Sequence, residues 1–251
     1  MKLTPYICCG DPNLEFSKKL AMAFSHCEII ELGIPFSDPI ADGKTIQEAT
    51  QRAIANGMNT EKAFDFAKKL RAEGMVSKLV FMTYYNILHA YGKEKFVTSM
   101  KESGVDGIII PDLPFREDEE FEELARKHNV SIVNMIAGNT SKKRAKEILE
   151  NETLFTYLVS TYGTTGSRQE ADREGIELVR RTRAIAGKRN KLYVGFGITR
   201  PKQAKQYIDA GADGVVIGSA IIGIYSKAMD DENSEEKALE LVKEFAVQAH
   251  N

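Results

Sequence analysis

Short runs rich in isoleucine, valine and leucine recur along the chain with helical stretches between them, and that alternation limits the fold more than any other feature. The runs are LTPYICC (3–9), EIIELGI (28–34), SKLVFMTY (77–84), GVDGIIIPD (104–112), SIVNMIA (131–137), TLFTYLVS (153–160), KLYVGFG (191–197) and DGVVIGS (213–219), eight candidate strands. Between them, EKAFDFAKKLRAEG from Glu61 and EDEEFEELARKHN from Glu117 place apolar residues three and four apart, the spacing of a one-sided helix. Strands that are apolar on both faces and separated by helices imply a parallel sheet covered on both sides, because each crossover returns a helix to the sheet. Eight such units in 251 residues fit an α/β fold closed as a (β/α)8 TIM barrel better than an open sheet. No composition shift or linker marks a second domain, so residues 1–251 are expected to form one barrel domain.

The intervals between strand starts are uneven. The second strand starts at residue 28 and the third at 77, the sixth at 153 and the seventh at 191, and the remaining intervals are shorter. The surplus lies in PFSDPIADGKTIQEATQRAIANG after the second strand and TYGTTGSRQEADREG after the sixth. Loops that follow strands carry the chemistry of barrels, so these two are where function is expected.

Glu31 interrupts the apolar second strand. Ile29, Glu31 and Gly33 point to one side and Ile30, Leu32 and Ile34 to the other. Glu31 is assigned to the lumen because the helix-facing layer is the more uniformly aliphatic. Desolvation there raises a carboxyl pKa to where it gives and takes a proton near neutral pH. The alternative is a structural carboxylate paired with a base, or a solvated strand edge. Asp42, in the following loop, is either a second carboxylate at the same cavity or a turn residue capping the helix that begins near Thr45. Together the two suit acid and base work without a metal.

Gly197 closes the seventh strand, and Gly218 and Ser219 open a helix after the eighth. Glycines let backbone N–H groups approach an anion, and loops seven and eight of such barrels frequently hold a phosphate; strand-ending glycines are the plain alternative. STYGTTGSRQ (160–169) suits a lid that orders over a ligand, or an ordinary flexible loop.

Composition excludes several classes. With 43% apolar and 28% charged residues and a formal charge of −2, the chain reads as globular, without a global field for nucleic acid. The densest basic run, RRTRAIAGKRNK from Arg180, suits the solvated carboxyl end of a helix. Cys8, Cys9 and Cys27 form no CxxC pair, and His26, His89, His128 and His250 lack metal-ligand spacing, so neither a disulfide framework nor a metal site is expected. The opening MKLTPYICCGDP is too briefly apolar for a signal peptide, and no run is long enough to span a membrane, so a cytoplasmic protein is expected.

The stretches ELGIPFSDPIADG, TYYN, IIIPDLP, TYLVSTYGTTGSR, GFGIT and GSAI occur in the order and spacing of the tryptophan synthase alpha chain, and the sequence resembles that family over nearly its whole length. The resemblance implies a (β/α)8 barrel that cleaves indole-3-glycerol phosphate to indole and glyceraldehyde 3-phosphate by a retro-aldol reaction. It implies Glu31 as acid and then base, Asp42 as acceptor of the indole N–H, and an indole pocket of Tyr6, Ile46, Ile109, Tyr157 and Phe196. Thr165 would close towards Asp42, and the phosphate would sit on backbone N–H groups around Gly166, Gly197, Gly218 and Ser219, with no metal and no cofactor in this chain.

The implied partner is a beta chain carrying pyridoxal phosphate, in an α2β2 assembly, facing Pro35, Asp38, Tyr84, Tyr85 and Asn86. The aromatic pair in TYYN is consistent with an interface, and one buried tyrosine would explain it as well. Asp112 ends the fourth strand close to the site, with a helix cap or turn residue as its plain alternative. Other readings are a stand-alone indole-releasing lyase and a weakly catalytic regulatory subunit that binds phosphate ligands. Three departures from the family pattern stand out: the sequence starts almost at strand one, without the usual preceding helix; Lys44 stands where proline is common; and STYGTTG replaces the frequent Ser-Arg-x-Gly-Val-Thr-Gly.

Overall fold

Strands and helices alternate through the computed structural model, which describes residues 2–151, 153–160, 171, 173–195, 197–230 and 235–250. They fall into two units, Pro5–Ile132 and Met1–Thr4 with Val133–Asn251.

The unit Pro5–Ile132 runs from the part of β1 (Lys2–Cys8) that begins at Pro5 through α1 (Leu14–Ala23), β2 (Ile29–Gly33), α2 (Lys44–Ala55), α3 (Thr60–Ala72), β3 (Lys78–Met82), α4 (Tyr85–Tyr91), α5 (Lys93–Glu102), β4 (Gly107–Ile109) and α6 (Glu119–Lys127) to β5 (Ser131–Ile132). Its strands lie in the order β5-β4-β3-β2-β1, all pairs parallel. Helix α3 shows why these helices form and where they go. Asn59 accepts a hydrogen bond from Lys62 N at the amino end, a cap worth about 1 kcal/mol. Ala63, Phe64, Phe66, Ala67 and Leu70 then form its buried face. Phe64 meets Phe81 of β3 with ring centroids 5.6 Å apart.

That contact fixes the two faces of the sheet. Register pairs Leu32 with Phe81 and Glu31 with Val80, so Leu32 shares the helix-covered face and Glu31 points away from the helices. Glu31 therefore lies on the face of β2 that α3 does not cover.

In the second unit β6 (Met135–Ala137), α7 (Lys142–Leu149), β7 (Thr156–Val159), α8 (Arg173–Ala186), β8 (Leu192–Gly195), α9 (Pro201–Asp209), β9 (Gly214–Ile217), α10 (Ser219–Asp230) and α11 (Glu235–His250) follow in order. Here too the pairs β6-β7, β7-β8 and β8-β9 are parallel. The predicted fifth strand, 131–137, appears as two short pieces, β5 and β6. Val133 and Asn134 separate them, and asparagine fits a pleated ladder poorly.

One tie occurs in both units. Arg71 of α3 donates to Met75 O (2.6 Å), Ser77 O (2.8 Å), Gly104 O (2.9 and 3.0 Å) and Asp106 Oδ2 (2.7 Å). Asp106 Oδ2 also accepts from Leu79 N at 2.9 Å. Arg183 of α8 repeats this, donating to Gly187 O (2.6 Å), Asn190 O (3.0 Å), Gly211 O (2.8 Å) and the Asp213 carboxylate, which accepts from Leu192 N at 2.7 Å. The basic run from Arg180 is therefore more than a solvated helix end: Arg183 is this tie, and Arg181 donates to Ala137 O and Gly138 O.

Candidate active site

The inward face of β2 carries Glu31 beside a gap. Gly33, two residues on, has no side chain because Tyr6 of β1 lies over it: a Cβ at Gly33 would stand 2.1 Å from the Tyr6 hydroxyl oxygen. Tyr6 is also the register partner of Glu31. The tyrosine ring and the carboxylate thus share one face of neighbouring strands. Ile109, at the end of β4, is in register with Met82, which is in register with Gly33.

Glu31 is 3% exposed, and among the described residues its Oε2 has no hydrogen-bond partner. No base of the described residues is paired with that oxygen, which argues against the structural ion-pair alternative for it. Burial first, and then the charge of Asp42, raises the Glu31 pKa from 4.5 to about 8.

Asp42 reaches the same region from the segment between β2 and α2. It does not cap α2: the N-cap is Gly43, and no side chain caps that end. Instead its carboxylate accepts a hydrogen bond from the Tyr84 hydroxyl at 2.9 Å, while its own carbonyl accepts from Gln47 Nε2 at 2.8 Å. Burial raises the Asp42 pKa from 3.8 to about 6, and the Tyr84 hydrogen bond opposes that rise. Near pH 7 the pair is therefore asymmetric, with Glu31 protonated and Asp42 ionised. One group can give a proton and the other can hold a positive charge.

The other candidates separate by placement. Tyr6 and Ile109 are buried, and Ile46, in the first turn of α2, is half-buried. Burial first, then the charges of Cys8, Asp42 and Glu31, pushes the Tyr6 phenol well above its usual range. Lys44 takes the first helical position of α2 and is exposed, with Glu48 at 3.7 Å.

Of the residues placed at a partner surface, Asp38 and Asn86 are exposed and Tyr85 is half-buried. Pro35 and Tyr84 are buried within the chain. Tyr84 is thus the buried tyrosine of TYYN, and its link to Asp42 is what sequence reasoning missed. Asp112 accepts from Tyr85 N at 2.9 Å, so it anchors the first residue of α4. It is a cap-like residue for a helix outside its own segment.

In the other unit Tyr157 of β7 is buried, and a Cβ at Gly195 would stand 1.8 Å from its hydroxyl oxygen. Gly197 has φ +75°, a conformation glycine adopts without strain. Gly218 O accepts from Ile222 N at 3.0 Å, which sets Gly218 and Ser219 at the amino end of α10. Thr165, Gly166 and Phe196 lie outside the described residues. Among the described residues no group of three or more His, Cys, Asp or Glu side chains is placed to hold a metal ion. No described helix is long and apolar enough to cross a membrane.

The chain is 41% identical over 249 residues to the tryptophan synthase alpha chain of Methanococcus voltae, covering 99% of this chain and 87% of that one. It is 42% identical over 245 residues to that of Pyrococcus abyssi, covering 97% of each. A chain from the tryptophan synthase a2b2 complex of Pyrococcus furiosus superposes with a TM-score of 0.89 at 41% identity, covering 99% of this chain and 97% of that one. The fold class is accordingly the (β/α)8 barrel of these structures, and its strands and helices are those described above. A family model described as tryptophan synthase alpha chain matches residues 1–250, and the chain belongs to that family.

Proposed function

We propose that this chain is a carbon–carbon lyase that cleaves indole-3-glycerol phosphate to indole and glyceraldehyde 3-phosphate, the alpha reaction of tryptophan synthase. The observation that carries the proposal is the buried carboxyl pair, Glu31 on β2 and Asp42 held by the Tyr84 hydroxyl, whose burial raises both pKa values, that of Glu31 the further. Breaking the bond between ring and side chain requires a proton on ring carbon 3, which leaves positive charge at the indole nitrogen. Protonated Glu31 supplies that proton, and ionised Asp42 accepts the indole N–H and stabilises the charge. Glu31, now a carboxylate, takes the proton of the side-chain hydroxyl as the aldehyde forms and the bonding electrons return to the ring. The carboxyl ends as it began, so the step needs no oxidant, metal or cofactor.

Tyr6, Ile46, Ile109, Tyr157 and Phe196 are the proposed indole contacts. Backbone N–H groups at Gly166, Gly197, Gly218 and Ser219 are the proposed phosphate contacts, and Thr165 is the residue that closes on Asp42. The left-handed backbone of Gly197 and the helix start at Gly218 support the phosphate part. The proposed partner is a tryptophan synthase beta chain in an α2β2 assembly in the cytoplasm, with pyridoxal phosphate belonging to the beta chain. Exposed Asp38 and Asn86, and Ile40 at 81% exposure, support a contact surface on the loop after β2 and the start of α4.

The test is incubation of the purified chain with indole-3-glycerol phosphate and a chelator, with and without a beta chain. Indole and glyceraldehyde 3-phosphate are expected in equal amounts, faster with the beta chain. No cleavage in either condition would remove the assignment.

A further inference from the structure

We propose that Tyr84 is a positioning residue for Asp42, fixing the carboxylate where it meets the charge that develops on the substrate. The inference rests on the lyase function proposed above and adds a residue to it. Tyr84 is 2% exposed, so its hydroxyl must find partners within the protein. It finds two on one segment, accepting from Ala41 N at 3.1 Å and donating to Asp42 Oδ2 at 2.9 Å. The Tyr84 ring meets the ring of Phe36, with centroids 5.4 Å apart. The segment between β2 and α2 is therefore held near both ends, at Phe36 and at Ala41–Asp42, by one side chain. The next residue is anchored in turn, because Asp112 accepts from Tyr85 N at 2.9 Å and the Tyr85 hydroxyl donates to Asp118. A carboxylate on a loop gains a fixed direction from this brace, which is what electrostatic stabilisation of a transition state requires.

The same hydrogen bond favours the ionised form of Asp42. The charged or titratable groups that face Asp42 are Glu31 from β2, Tyr6 and Cys8 from β1, and Tyr84 after β3, with Asp112 acting on Tyr84. Gln47 of α2, which is uncharged, holds only the Asp42 carbonyl. Of these, the Tyr84 hydroxyl is the one whose effect lowers the Asp42 pKa; burial raises it. Removing the hydroxyl leaves the effect of burial unopposed, so Asp42 must ionise at higher pH.

Tyr84→Phe keeps the ring and its contact with Phe36 while deleting the hydroxyl. Its kcat is expected to fall about ten- to a hundredfold, the range for a lost hydrogen bond to a charged group, with KM changed much less. The acid limb of the pH profile should move up by about one unit. In an Asp42→Asn background the same substitution should cost little more, because the two residues act as one unit. An unshifted acid limb, or a full additional loss in the Asp42→Asn background, would overturn the inference in favour of a structural role. Should Tyr84→Phe fail to fold, 3-fluorotyrosine placed at position 84 retains ring and hydroxyl, donates more strongly and should shift the limb downward; no shift counts against the brace. Carbon-13 NMR titration of the Asp42 carboxyl reads the same shift without turnover. A parent chain that does not cleave indole-3-glycerol phosphate would thus count against the proposed function, whereas an Asp42 titration that ignores Tyr84 counts against this inference.

Discussion

In the unit Pro5–Ile132 a tyrosine of β1 lies over Gly33 of β2, and in the unit that contains Val133–Asn251 a tyrosine of β7 lies over Gly195 of β8. The register matches as well: Tyr6 pairs with Glu31 two residues before its glycine, and Tyr157 pairs with Tyr193 two residues before its own. Each unit also carries an arginine that ties a helix end to a Gly-x-Asp-Gly segment, at 104–107 and 211–214. The joints are alike, and the residue set between them differs. At one position stands a buried carboxyl with an unpartnered oxygen, and at its counterpart a tyrosine ring stacked 4.8 Å from Phe155. The proposed acid and base stands in one copy of a shared arrangement, so the scaffold and the proposed reaction can be perturbed separately.

The largest expected effect comes from breaking that asymmetry. Glu31→Gln should reduce kcat by about a thousandfold or more, the scale of a lost general acid and base. Tyr193→Phe, at the matching position, should leave kcat within about twofold. The parent profile should be bell-shaped, with limbs near 6 where Asp42 ionises and near 8 where Glu31 loses its proton. Stability carries the opposite sign. Because folding raises the Glu31 pKa, the native state binds more protons than the unfolded chain between about 4.5 and 8, so this residue's contribution to stability falls as pH rises through that window. Glu31→Gln should therefore melt above the parent at pH 9, by an amount on the order of a few kcal/mol, with the gain fading towards pH 4. Equal melting at both pH values would show that Glu31 is not held protonated by the fold.

Much of this was legible in the chain and some was not, for local reasons. Strands declared themselves as apolar runs because a sheet covered on both faces needs apolar residues on both. Glu31 was legible because a lone carboxylate in such a run has few places to go. Asp42 taken alone looked more like a turn or cap residue, and the Gly43 cap and the Tyr84 bond speak against its capping α2. Tyr84 itself could not be read as a partner of Asp42, since it follows the end of β3, where strand periodicity no longer sets the direction of a side chain. Tyr6 was assigned to the pocket, but its second task of filling the space over Gly33 depends on which residues of neighbouring strands align. The repeated Gly-x-Asp-Gly was visible in the sequence and looks like ordinary turn chemistry. Its meaning lies in arginines on distant helices.

Adding a methyl group under each tyrosine tests whether the two joints are equivalent. At Gly33 the new Cβ would sit 2.1 Å from the Tyr6 hydroxyl oxygen, and at Gly195 it would sit 1.8 Å from that of Tyr157. Both distances are far inside contact, so each ring must move, and overpacking of this kind costs about 1–3 kcal/mol. Both Gly33→Ala and Gly195→Ala should lower the melting temperature. Gly33→Ala should in addition move the Glu31 limb of the pH profile, because the ring displaced is the register partner of that carboxylate. If Gly195→Ala moves the same limb by the same amount, the division between the copy that carries the proposed acid and the copy that does not fails.

The smallest effects are expected at the arginine ties, where the comparison can be sharpened without touching the reaction. Asp106 is 21% exposed and also binds Lys78 at 2.7 Å, whereas Asp213 is 40% exposed. Water and salt screen the second carboxylate more, so its ion pair contributes little, and the value of Arg183 lies chiefly in the carbonyls it caps. Arg71→Ala should cost about 1–3 kcal/mol and Arg183→Ala somewhat less. Raising salt should weaken the parent's advantage over Arg71→Ala more than its advantage over Arg183→Ala, because more of the first tie is electrostatic. The kcat of the folded fraction should be unchanged in both variants. A kcat loss in either one would mean that the tie holds the reactive geometry as well as the frame, and the separation of joint from chemistry would have to be abandoned at that point.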